Sequence, residues 1–123
     1  MDTIKYLDTY ILCEISRANP KFLSLLQQTC IINELTLAEF YSVILREYNE
    51  ATADYWLQKF LPYAKPVPIA ILISAVKFRK EYIQKNISFF DAVGYIFAKE
   101  NAGIFVTGDK EFEKLEGVEF IRK

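Results

Sequence analysis

The sequence predicts an α/β fold: a three-layer α/β/α sandwich around a mostly parallel sheet of about five strands. Short apolar runs bounded by turn residues alternate with longer stretches of helical periodicity along the whole chain. The 123 residues are 52% hydrophobic and 25% charged. A folded chain of that size buries roughly two-thirds of the surface its unfolded form exposes, enough for a core with a helix layer on each side of a sheet.

Taken in order, residues 3–7 read as the first strand, with a short helix after Asp8, and residues 22–29 as the next helix. Residues 30–32 form the second strand, followed by helices over 37–48 and 53–61. Pro62, Pro66 and Pro68 mark one connection, which places the third strand at 67–69 and a helix at 70–84. A helix over 89–100 stops at Gly103, and strands at 104–107 and 118–121 flank a turn or two near 110–115. No repeat or flexible linker interrupts the pattern, so one domain over residues 1–123 is expected.

Composition removes several chemistries. There is no histidine, which excludes Ser-His and Cys-His nucleophiles, imidazole acid–base pairs and nearly every zinc site. The four glycines form neither a dinucleotide-binding nor a P-loop pattern. Cys13 and Cys30 sit in apolar surroundings without C-x-x-C spacing, as buried reduced thiols would. The longest uncharged runs, 22–33 and 66–76, are well short of the ~20 residues a membrane span needs. The first residues lack a signal-peptide pattern, and a cytoplasmic protein is expected. A net charge of −1 speaks against bulk attraction to nucleic acid and leaves room for a local basic patch.

What remains is carboxylate chemistry. Asp8 follows the first strand and Asp109 the fourth, while Glu39 and Asp91 lie in expected first helical turns. In a parallel α/β sheet, strand C-termini and helix N-termini collect on one edge, where such folds bind ligands. Four acids spread over a hundred residues therefore converge. Like charges this close repel unless a cation neutralises them, and Mg²⁺ or Mn²⁺ suits oxygen ligands. Each acid also has a purely structural reading. Thr36 with Glu39, and Ser88 with Asp91, fit capping boxes, and Asp8 and Asp109 fit N-caps. The apolar stretches 35–45 and 89–98 around Glu39 and Asp91 favour a partnered charge over a solvated cap.

These segments resemble the PIN-domain ribonucleases, and among them the VapC-like toxins of type II toxin-antitoxin pairs. The resemblance rests on Tyr6-Leu7-Asp8-Thr9, Leu35-Thr36-Leu37-Ala38-Glu39-Phe40, Ser88-Phe89-Phe90-Asp91-Ala92 and Thr107-Gly108-Asp109-Lys110-Glu111-Phe112, with 117–120 as a closing strand, and spans essentially the whole chain. It implies a PIN-like fold and a Mg²⁺- or Mn²⁺-dependent endoribonuclease whose metal is held by Asp8, Glu39, Asp91 and Asp109. Thr107, with Thr9, would orient those acids or a bound water, and Glu111 would stand behind them. It also implies an RNA substrate, a cognate antitoxin protein and a homodimer. Two departures stand out: Tyr10 replaces a commonly small polar residue, and Glu34 rivals Glu39 as second ligand.

The most basic stretch, 77–85, contains Lys77, Arg79, Lys80 and Lys85 and leads toward Asp91, while Lys110 adjoins Asp109. Arg79, Lys80 and Lys110 are the candidate RNA contacts, against the reading of a solvated helix face. Tyr55, Trp56, Phe60, Leu61 and Tyr63 load one segment with apolar and aromatic side chains suited to core or to a partner groove. Rival readings are a non-catalytic module of this fold, a PIN-type nuclease of RNA processing, and a receiver-type phospho-acceptor domain. The last needs adjacent acids after the first strand, and they are missing. Setting the four proposed ligands aside leaves 12 of the 16 acids against 15 bases, a mildly basic remainder.

Overall fold

The computed structural model describes residues 3–122. Its strands are β1 (Lys5–Leu7), β2 (Cys30–Asn33), β3 (Ala64–Lys65), β4 (Ile104–Thr107) and β5 (Val118–Phe120). All pair in parallel, in the order β3-β2-β1-β4-β5. The helices are α1 (Thr9–Ser16), α2 (Pro20–Leu23), α3 (Glu34–Glu47), α4 (Glu50–Phe60), α5 (Ile69–Glu81) and α6 (Phe89–Glu100).

Strand alternation creates the three layers. Leu7, Ile32 and Val106 pack against α1, α2, α3 and α4, whereas Tyr6 and Phe105 face α5 and α6. Successive strand residues point to opposite faces, so a parallel strand buried on both sides reads as continuous apolar sequence. Each fully buried Phe or Leu contributes roughly 1.5–3 kcal/mol of transfer free energy. Phe22, Phe40 and Phe60 anchor one layer, Phe105 and Phe112 the other. Both cysteines are free and buried, as the sequence implies, and burial pushes each thiol up to about 11. No described helix is long and apolar enough to cross a membrane.

Several boundaries differ from the sequence reading for local reasons. The third strand is Ala64–Lys65 rather than 67–69, in register with Ile32 and Asn33. Pro66 and Pro68 lack the N–H that a strand at 67–69 would need on both sides of Val67, and Pro68 instead caps α5. The helix expected over 22–29 starts at Pro20, capped by Asn19, and gives way to a 3-10 turn over Ser24–Gln27. Helix α3 starts at Glu34, because the Asn33 side chain accepts the Thr36 amide at 2.8 Å. Asn49 does the same for α4 through Thr52. Thr36 is thus the third residue of α3, not its cap.

The stop after α6 also differs in detail. Ala102 takes the left-handed conformation at φ 55°, and Gly103 closes the turn by donating to Ala98 O at 2.8 Å. Glycine is required at 103 for another reason. A Cβ there would meet the Tyr6 ring at 2.3 Å and Ile4 O at 2.8 Å.

Candidate functional site

The site is built where β1 and β4 end. Those strands are neighbours, with Leu7 paired to Val106, so the residues just beyond them are brought side by side. Asp8 N donates to Val106 O at 3.2 Å. The Asp8 carboxylate is 2% exposed and each oxygen accepts one hydrogen bond: Oδ1 from Ile11 N at 2.9 Å, capping α1, and Oδ2 from the Thr107 hydroxyl. Thr107 Oγ1 in turn accepts from Asp109 N at 3.0 Å. Asp109 Oδ1 accepts from Glu111 N at 3.0 Å and caps the 3-10 turn Lys110–Phe112.

The other two acids reach this edge from helices. Thr9, the first residue of α1, donates its hydroxyl to Glu39 Oε1 on α3. Because Asn33 sets the start of α3, Glu39 lies in its second turn, so the capping box expected with Thr36 is not formed. The Ser88 half of the second box is formed, with Asp91 N donating to Ser88 Oγ at 3.1 Å. The Asp91 carboxyl bonds Asp109.

The electrostatics tie the four acids together. Burial pushes the Asp8 carboxyl up to about 7, overcoming the bonds from Thr107 and Ile11, with Asp109 and Glu39 adding repulsion. Asp91 is pushed up to about 8, again chiefly by burial, then by Asp8, Asp109 and Glu39 and the bond to Asp109. A cluster with these shifts takes up protons or a cation. Its donors are all carboxylate and hydroxyl oxygens, which suits a hard divalent ion with several retained waters. Among the described residues no group of three or more acids or cysteines stands in an arrangement that could hold a metal ion. The acids are instead held by Thr107, Thr9 and backbone amides.

The remaining candidates fall into two groups. Glu34 is exposed at the head of α3 and lines a groove of about 420 Å³ with Leu37, Ala38, Tyr41, Leu57 and Leu61, apart from the four acids. The aromatic segment divides: Phe60 is core, Trp56 stacks on it at 5.6 Å, Tyr55 is exposed, and Leu61 is exposed along that groove. On the other flank, Arg79 Nε donates to Ile87 O at 3.0 Å and so brings the end of α5 to the start of α6. Arg79 and Lys80 line a groove of about 300 Å³ with Val76, Ile83, Lys85 and Ile87. Glu111 faces Lys85 at 4.0 Å, and Lys110 is exposed beside Asp109.

One contact at the edge has only a faint mark in the sequence. Gly108, between Thr107 and Asp109, lies directly against the ring of Tyr10. Its sequence signal is a glycine set between two site residues where no left-handed turn requires one.

The sequence pattern that defines the PIN domain matches residues 5–118. The chain belongs to the PIN-domain family. Solved PIN-like structures agree over nearly the full length. VapC20 of Mycobacterium tuberculosis, a sarcin–ricin-loop-cleaving toxin, superposes with a TM-score of 0.81 at 16% identity, covering 98% of this chain and 100% of that one. A toxin-antitoxin complex from Klebsiella pneumoniae gives 0.75 at 19% identity, covering 98% and 99%. VapBC2 of Rickettsia felis, bound to promoter DNA, gives 0.77 at 17% identity, covering 97% and 98%. No curated protein matches at the level of sequence. In this PIN fold the topological edge carrying Asp8, Thr107 and Asp109 is the carboxyl end of the sheet.

Proposed function

We propose that this PIN-domain chain is a divalent-metal-dependent endoribonuclease that hydrolyses RNA phosphodiesters in the cytoplasm as the toxin of a toxin-antitoxin pair. The observation that carries the reading is the gathering of Asp8, Asp91, Asp109 and Glu39 at one sheet edge, where burial first and mutual repulsion second raise the carboxyls of Asp8 and Asp91. Asp8, Glu39, Asp91 and Asp109 would hold Mg²⁺ or Mn²⁺. When bound, the ion lowers the pKa of a water and neutralises charge on the leaving oxygen.

The chain's own residues do the rest. Thr107 holds Asp8 in one rotamer, and Thr9 does the same for Glu39, so the carboxylates do not reorganise as charge develops. Asp109 is tied down through its amide and through Glu111 N. Arg79, Lys80 and Lys110 supply phosphate contacts on the flank of the edge. Burial raises the carboxyls of Asp8 and Asp91, so the metal-free cluster holds on to protons more tightly than free carboxylates do.

The toxin role draws on the likeness to VapC20 and to the toxin-antitoxin complexes. An antitoxin and a second copy of the chain are the expected partners. The groove edged by Leu57 and Leu61 is an apolar surface available to one of them.

The test is cleavage of labelled RNA with Mg²⁺ or Mn²⁺, with and without chelator, beside folded Asp8→Asn and Asp91→Asn proteins. Cleavage that needs metal and is lost in both variants is expected. Cleavage that persists in chelator, or full activity in both variants, would falsify the mechanism.

A further inference from the structure

Three consecutive residues at the head of α1 each make one tie to a different part of the acid edge. Asp8 accepts from Thr107 on β4, Thr9 donates to Glu39 on α3, and the Tyr10 ring meets Gly108. The third tie is a packing contact of unusual closeness. A Cβ placed on Gly108 would lie 2.1 Å from Tyr10 Cε1, 2.5 Å from Cδ1 and 2.6 Å from Cζ. No side chain fits between them, so the ring rests on the backbone of position 108 itself.

Tyr10 is braced from behind. Its ring meets Phe22 edge to face, with centroids 6.0 Å apart at 77°, and Phe22 is fully buried. The ring is therefore wedged between core and turn. That turn carries the bonds that fix Thr107 and Asp109: Asp109 N to Thr107 Oγ1, and Glu111 N to Asp109 Oδ1. A shift of the backbone at 108 would move the Asp109 amide relative to the Thr107 hydroxyl that accepts from it, the same hydroxyl that donates to Asp8.

We propose that Tyr10 is a positioning residue, whose ring against Gly108 sets the 107–109 turn and so holds Thr107 and Asp109 in register with Asp8. The catalytic part of this inference rests on the proposed nuclease reading, while the structural part stands without it.

The test has a readout in the metal-free protein. Amide hydrogen exchange is followed at Asp109 and Glu111, with amides in α6 as the internal reference. Tyr10→Phe keeps the ring and should exchange like the wild type. Tyr10→Ala should exchange roughly tenfold faster at 109 and 111 while α6 is unchanged, since local opening is released without global unfolding. Gly108→Ala should do the same with Tyr10 present, because the added methyl must displace the ring. In the double variant the clash is gone but the ring is still missing, and exchange at 109 and 111 should match that of Tyr10→Ala. With RNA and metal, Tyr10→Ala should lower kcat roughly tenfold to a hundredfold with little change in KM, as small misplacements of reacting groups do.

Unchanged exchange at 109 and 111 in Gly108→Ala would overturn the proposal. So would a Tyr10→Ala protein in which α6 loses protection to the same degree, for that marks an ordinary core residue. Gly108→Ala removes no core side chain and decides the matter even where Tyr10→Ala does not fold. If no variant and no wild-type protein cuts RNA, the functional reading fails, and the exchange data still decide whether Tyr10 positions the turn.

Discussion

The Thr107 hydroxyl donates to Asp8 Oδ2 across 99 positions of sequence, between the ends of two adjacent parallel strands. The same oxygen accepts the Asp109 amide at 3.0 Å. One hydroxyl therefore serves a buried carboxylate and the turn that carries another acid.

Replacing Thr107 by Val keeps the β-branched shape and removes both bonds. Asp8 is left buried with one fewer donor, and the Asp109 amide loses its acceptor. A loss of about 1–3 kcal/mol in urea unfolding is expected for the metal-free protein, with Thr107→Ser recovering most of it. Equal stability of the Val and Thr proteins would remove the hydroxyl from the account of the site.

The raised carboxyls give a definite pH signature. Asp8 and Asp91 bind protons more tightly folded, at about 7 and about 8, than unfolded, near 3.8. Between those values the native state holds more protons, so stability falls as pH rises. The favourable contribution is complete below pH 3.8 and is lost through about pH 8, above which the curve flattens. Melting temperature measured with chelator should therefore fall from pH 5 to pH 8, against an Asp8→Asn/Asp91→Asn reference that changes less. Added Mg²⁺ should raise it most at the alkaline end, where ligands need no deprotonation.

Arg79→Glu and Lys80→Glu should weaken RNA binding and flatten its dependence on salt. Each lost phosphate contact removes about 0.7 from the slope of log affinity against log salt for single strands. Filter binding at several salt concentrations measures it. Arg79 also bonds Ile87 O, so its substitution should loosen the 82–88 segment, and Lys80→Glu separates charge from that brace.

Gly103→Ala should cost about 1–3 kcal/mol in chemical unfolding through overpacking against Tyr6 and the Ile4 carbonyl, a backbone atom that does not yield easily. Gly117→Ala meets nothing within 4 Å and should cost only the strain of φ 77°, about 1–2 kcal/mol. Substituting Ser at 103, which adds only one more atom, should be at least as damaging as Ala.

The sequence by itself determined the alternation of strand and helix, the apolar faces of β1 and β4, and hence that Asp8 and Asp109 leave the sheet on one edge. Chain order suffices for that, because parallel strands joined by crossover helices place their carboxyl ends together whatever the side chains between them. Asp91 was legible for a similar reason, since Ser88 starts its helix by a local hydrogen bond.

Only the tertiary structure decided the rest. The start of α3 turned on whether Asn33 or Thr36 caps it, and a shift of three residues moved Glu39 to the second turn and left Glu34 beside another groove. The third strand turned on which side of Pro66 could pair with β2. The ties from Thr9 to Glu39, from Thr107 to Asp8 and from Tyr10 to Gly108 join segments 30 to 99 positions apart. Such contacts depend on how helices rotate and settle on the sheet. That packing is a property of the assembled core, and no local window of sequence contains it.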